Sequence, residues 1–121
     1  MEIIIKLAWF VLAVIHLTPS LVVFRPSLLT KLYNTPSDGL IGLLLTHRGG
    51  LFLAVVIACL ISIFHIESRR LAAIVVGISM ISFLLLYFKA GMPVGELRKI
   101  AIADVIGLPF LFIVAAHAYA R

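Results

Sequence analysis

The sequence is poor in charged residues, and in acidic residues above all. Of its 121 residues, 12% are charged, five are acidic and one is cysteine, whereas 64% are hydrophobic. Water-soluble domains have about 25% charged and about 45–50% apolar residues. A chain of this length could not bury so much apolar surface if it folded in water. The composition therefore excludes a soluble globular domain and predicts a protein whose solvent is the lipid bilayer.

Several signatures of known chemistry are also missing. The lone Cys59 has no partner for an internal disulfide. There is no P-loop, no G-x-G-x-x-G, no G-x-S-x-G and no H-x-x-x-H or Cys/His cluster, so we expect neither a conventional enzyme nor a metal site. The net charge of +5 comes mostly from basic residues that flank apolar stretches. Such residues bind lipid headgroups, and we expect no nucleic-acid partner.

Four apolar stretches are long enough to cross a membrane as helices, which takes about 20 residues each. They cover residues 3–24, 40–64, 71–88 and 100–120. No stretch alternates with period two, so the sequence predicts an all-α integral membrane protein, a single four-helix bundle spanning residues 1–121. Residues 1–20 also allow a cleaved signal peptide, an alternative weakened by the apolar run that continues through residues 21–24.

The segment between the first two stretches predicts a short interfacial helix over residues 26–33. Leu28, Leu29, Leu32 and Tyr33 share one face of that helix, the pattern of a helix that lies in the headgroup layer. Ser37 or Asp38 is a suitable N-cap for the next helix.

Both termini are expected on the same side of the membrane, called here the termini side. The opposite side, called the loop side, carries residues 25–39 and 89–99. Outside the spans, the loop side has five basic residues and the termini side has four; the five are Arg25, Lys31, Lys89, Arg98 and Lys99. This small excess favours the loop side as the cytoplasmic one.

Four polar residues from four different spans are predicted to lie at one depth. Counted at 1.5 Å per residue from the loop side, His16, Arg48, Ser82 and Asp104 all fall roughly 6–12 Å inside the apolar layer. Ser20 and His47 lie near the same depth. We name this group the polar layer, and its six residues are the candidate ligand-binding residues.

An arginine in the apolar layer requires an explanation, because its side chain stays charged and charge inside a bilayer is costly. Asp104 is the one acid well inside a predicted span. We therefore predict an ion pair between Arg48 and Asp104, which His16 could join. The alternative is that Arg48 extends to the headgroups and Asp104 lies at the interface.

A stripe of small residues predicts the packing face of the second span. Gly50, Ala54, Ala58 and Ser62 recur at every fourth position. In lipid, small residues on one face let two helix backbones approach closely.

With "HRGGLFLAVVIA" opening the second span and "ADVIGLP" early in the fourth, the chain resembles the DoxX-like group of small four-helix membrane proteins. The positions that carry the resemblance are Arg48 with Gly49 and Gly50, and Asp104. The resemblance implies a multi-pass protein of the bacterial inner membrane, and an accessory or quinone-linked role.

Three functions remain open from the sequence. The first is a protein that binds a lipid or quinone by its head in the polar layer and by its tail in the apolar half of the bundle, as an accessory subunit with a membrane-protein partner or a second copy. The second is a small dual-topology, proton-coupled transporter, disfavoured if Arg48 holds Asp104 ionised. The third is a membrane enzyme acting on a lipid or isoprenoid, with His16 as base and Asp104 orienting it.

Overall fold

The computed structural model describes residues 1–25, 27–33 and 38–120. The described chain is helical and contains no strand. Its α-helices are α1 (Glu2–Ser20), α2 (Leu28–Tyr33), α3 (Gly39–Phe64), α4 (Arg69–Lys89) and α5 (Glu96–Ala120). Short 3-10 turns follow α1 at Leu21–Val23 and precede α4 at Ile66–Ser68.

Four of these helices are long and apolar enough to cross a membrane. They span Glu2–Val23, Gly39–Phe64, Ile66–Lys89 and Leu97–Ala120, which agrees with the predicted spans to within a few residues. The protein is thus an all-α, multi-pass membrane protein, as its composition predicts.

The four long helices form a ring in the order α1, α3, α4, α5. Helix α1 packs closely against α3 and also contacts α5, while α4 packs against α5. Helices α3 and α4 are also neighbours, but they contact each other least of the four pairs. The ring is therefore tight between α1 and α3 and loose between α3 and α4.

Side chains of α1 contribute much of the core of the bundle. Trp9 and Leu12 of α1 are fully buried, in one cluster with Cys59, Val76 and Val114 from the other three long helices. The outward faces of the helices carry many exposed Leu, Ile and Phe side chains. Such a surface is unsuited to water and suited to acyl chains.

The predicted stripe of small residues on α3 is formed in part. Ser62 is fully buried and Ala58 packs against the core, whereas Ala54 is exposed. The closest approach of α3 to the end of α1 is at Gly49, where an added Cβ would overlap the Val22 side chain and lie 3.1 Å from the Pro19 carbonyl oxygen. At Gly50 the nearest atom would be 3.7 Å away, on Val23, so the tightest contact lies one residue before the predicted stripe.

Helix α2 confirms the predicted short helix and packs against α3 and α5. Pro26 and Ser37, and the side chains of Leu29, Leu32 and Tyr33, lie outside the described residues. Asp38 takes the N-cap position of α3, but its side chain makes no capping hydrogen bond.

Candidate functional site: a polar layer divided by Phe52

Arg48 lies in the apolar layer against two aromatic rings. Its guanidinium carbon is 4.9 Å from the centre of the Phe52 ring and 5.1 Å from the centre of the Phe83 ring. Phe52 is four residues further along α3, so it lies on the same helix face, and Phe83 comes from α4. A cation over an aromatic face is stabilised by about 0.5–2 kcal/mol, more where water is excluded. The two rings thus supply part of the stabilisation of the Arg48 charge that we expected from the Asp104 carboxylate.

The predicted Arg48–Asp104 ion pair is not formed. Within the described residues, the ion pair closer than 4.0 Å is a different one, between Arg69 and Glu2. Arg48 still acts on Asp104 electrostatically, but the two side chains do not touch. Phe52 explains the separation, because its ring lines both the cavity beside Arg48 and the cavity beside Asp104.

His16 is buried, 3% exposed, and its bonding fixes its tautomer. Its Nδ1 lies 2.9 Å from the Leu12 carbonyl oxygen. A carbonyl only accepts, so Nδ1 carries a proton and donates, and in the neutral ring Nε2 accepts. Ser79 Oγ, 3.4 Å from Nε2, donates weakly to it. The group that bonds His16 Nδ1 is thus the Leu12 carbonyl of the same helix and not Asp104.

Of the other three predicted site residues, one lines a cavity and two do not. Ser82 is exposed on α4, beside Arg48 in the same cavity, and donates to the Ser79 carbonyl oxygen over 3.3 Å. Ser20 is fully buried, but its hydroxyl donates to the Leu17 carbonyl oxygen at 2.6 Å. His47 is exposed and lines neither cavity of the layer. Sequence counting found their depth but not the direction in which each points.

The first cavity is an open groove of about 690 Å³ between α3 and α4, where the helices pack loosely. Arg48 lies toward the loop-side end of the groove on α3, and Ala58 toward the termini side. Ten residues separate them, roughly 15 Å along the helix. Below the level of Arg48, Ser79 and Ser82, the lining is apolar: Leu51, Ala54, Val55, Ala58, Val75 and Ile78.

The second cavity is a pocket of about 280 Å³ between α1 and α5, on the opposite side of the ring. His16, Thr18, Lys99 and Asp104 are its polar lining residues. Asp104 is 7% exposed. The residues of the polar layer therefore line two separate cavities, with Arg48 in one and Asp104 in the other. Phe52 lines both cavities.

A buried charged cluster at the termini side was missed by the sequence reasoning. Arg69 is 1% exposed, and its Nη2 donates to Glu2 Oε1 at 2.6 Å. Nε and Nη2 also donate to the carbonyl oxygens of Ser62 and Ile63, at 2.7 and 3.1 Å. These carbonyls lie in the last turn of α3, where a helix has no further N–H groups to offer. The sequence did contain a signal for this cluster, because an arginine that follows a helix end within a few residues can donate to the unpaired carbonyl oxygens there.

No family model, no curated protein and no solved structure matches this chain.

Proposed function

We propose that the protein binds a membrane amphiphile in the α3/α4 groove, with the head at Arg48 and the tail along the apolar lining. A phospholipid or a quinone fits this description. The site suits a small accessory protein of a bacterial inner membrane, the role that the resemblance to the DoxX-like group also predicts.

The observation that carries the proposal is the bonding of Arg48. Its guanidinium lies over two rings, and among the described residues it has no hydrogen-bond or ion-pair partner at contact distance. Rings engage the flat faces of a guanidinium and leave its N–H edges able to donate. A donor without a partner costs about 1–3 kcal/mol when it is buried, as the guanidinium would become under a bound ligand. An oxygen-bearing ligand would remove this cost.

The chemistry of Arg48 limits the head of the ligand to an acceptor. Guanidinium N–H groups only donate, so they bind phosphate oxygens or a carbonyl oxygen and not an ammonium group. The hydroxyl groups of Ser79 and Ser82 lie in the same part of the groove. Their hydroxyl hydrogens are already donated, to His16 and to the Ser79 carbonyl oxygen, so the binding of an acceptor depends on Arg48.

The orientation of the groove fits an amphiphile inserted from the loop-side leaflet. The arginine lies near the loop side and the apolar lining extends toward the termini side, so head and tail have the order that they have in a leaflet. The groove is open to the surrounding lipid because α3 and α4 pack loosely. A tail can therefore enter sideways.

The test is to identify what copurifies with the protein. The protein is purified in a mild detergent, the bound molecules are extracted with organic solvent, and phospholipids and quinones are counted per chain by mass spectrometry. We expect one class to be enriched over its share of the membrane, and Arg48→Gln to lower that enrichment about tenfold because one charge-assisted hydrogen bond is lost.

The matched control is Arg25→Gln, the same change at an exposed arginine outside the groove. It should leave the enrichment unchanged. Extracts in which every class keeps its membrane share, or an equal loss in both variants, would contradict the proposal.

A dual-topology transporter stays the second candidate because of one observation. One argument against it was that Arg48 pairs with Asp104, and the structure shows no such pair at contact distance among the described residues. The other argument still stands, because the first span lacks the mid-helix glutamate of small multidrug antiporters. The membrane orientation of the chain separates the two candidates.

A further inference from the structure

The α1/α5 pocket holds an acid whose bonding is incomplete. Asp104 is 93% buried and lines the pocket. Its carboxyl group has neither a hydrogen bond nor an ion pair at contact distance to another described residue. A buried carboxyl group without a partner is costly in either protonation state. Acids in this position inside a membrane usually mark a binding site or a transport route.

The groups around Asp104 disfavour a charged ligand. Phe52, which contacts Arg48, lines the pocket, and most of the other lining residues are apolar. A charged head of either sign would have to leave water for this apolar lining, and the carboxylate itself opposes an anionic head. The combination leaves a neutral head that forms hydrogen bonds.

A hydroxyl group is the neutral head that suits this acid best. It can donate to the ionised carboxylate and accept from the protonated acid, whereas a carbonyl or an ether can only accept. The remaining lining is largely apolar and includes the Phe52 ring, together with Val14, Ile15, Pro19, Ile100 and Ala103. A hydroxyl on a hydrophobic body would therefore fill the pocket.

We propose that the α1/α5 pocket is a second ligand site, in which Asp104 binds the hydroxyl group of a neutral amphiphile. The chemistry is shared by phenol- or quinol-type rings and by long-chain alcohols. Phe52 adds an aromatic surface to the pocket, so a ring that bears the hydroxyl gains a second contact. The site is independent of the proposed function, because the groove binds acceptors at Arg48 and this pocket binds a donor at Asp104.

The experiment compares ligands that differ in one hydrogen-bond donor, because a methyl group replaces the hydroxyl hydrogen. Purified protein in detergent is equilibrated with 4-hexylphenol or with its methyl ether, 4-hexylanisole, and binding is measured as ligand retained above protein-free micelles. We expect the wild-type protein to prefer the phenol by about tenfold, the effect of one hydrogen bond to a carboxyl group. The pair 1-decanol and decyl methyl ether, measured alongside, tells a ring-bearing ligand from an aliphatic alcohol.

Two variants assign the preference to Asp104. Asp104→Leu should abolish the preference for the phenol, and Asp104→Asn, which keeps an acceptor oxygen, should retain most of it. The phenol preference and the enrichment of copurified lipids are measured separately, so the two sites can fail separately. If the wild-type protein binds the phenol and the ether equally, the proposal is overturned. This measurement does not depend on whether any variant folds. A preference that survives in Asp104→Leu also overturns the proposal.

Discussion

Two arginines in this protein are kept away from water by different means. Arg48 lies over the rings of Phe52 and Phe83. Arg69 is bonded to Glu2 and to two carbonyl oxygens at the end of α3. The first arrangement leaves donors for a ligand, and the second uses several of them within the chain. At the scale of the residue, this difference separates a candidate site from a structural anchor.

Arg69 is expected to stabilise the bundle chiefly through the carbonyl oxygens that it caps. Glu2 is 46% exposed, so water can replace the arginine there, whereas the α3 carbonyls would lose their partner. Arg69→Gln should lower the free energy of unfolding by roughly 1–3 kcal/mol. Thermal unfolding in detergent, followed by circular dichroism, measures the change.

Glu2→Gln serves as the comparison for Arg69, because it removes the charge of the partner and keeps an acceptor oxygen. Its effect should be clearly smaller. Equal losses of stability in the two variants would mean that the ion pair, and not the capping of α3, supports this end of the bundle.

At the scale of the element, Gly49 sets how closely α3 approaches the end of α1. Gly49→Ala adds a methyl group that would overlap Val22, which is fully buried. Because overpacking a close contact costs about 1–3 kcal/mol, we expect a destabilised protein. The same unfolding experiment reports it.

The neighbouring glycine provides the control for this element. In Gly50→Ala the new Cβ would lie 3.7 Å from Val23, an ordinary contact, and alanine favours a helix by up to about 1 kcal/mol over glycine. This variant should be as stable as the wild type or slightly more so. A Gly49→Ala protein of full stability would contradict the close approach of α1 and α3.

The elements were largely predictable from the sequence, and the contacts between them were not. Long apolar runs determine where a helix can span a bilayer, so the four spans agree with the structure to within a few residues. Depth follows from counting along a helix, which is why His16, Arg48 and Asp104 do lie at one level. The direction in which each side chain points depends on how the helices rotate against each other, and the sequence does not encode this locally. Phe52 was overlooked for that reason, although its place four residues after Arg48 was visible.

At the scale of the whole molecule, the distribution of positive charge predicts the orientation in the membrane. The loop side has Arg25, Lys31, Lys89, Arg98 and Lys99, and all five are exposed. On the termini side Arg69 is buried, so it is less able to reach lipid headgroups than the five loop-side residues. The loop side should therefore be cytoplasmic.

Fusions at the C-terminus test this orientation. Alkaline phosphatase, which is active only outside the cytoplasm, should be active when fused there, and a cytoplasm-dependent fluorescent protein should stay dark. The opposite pattern would refute the assignment. Signal from both fusions would show two orientations, which would favour the transporter over the ligand-binding protein.

Because α3 and α4 contact each other loosely, part of the interior of this protein is open to the bilayer. Where α1 and α3 pack closely along their length, α3 and α4 leave a volume that acyl chains from the bilayer can enter. The surrounding membrane then supplies part of the packing that a soluble bundle would obtain from its own residues. The spacing of these two helices should accordingly depend on the lipid composition around them as well as on the amino-acid sequence.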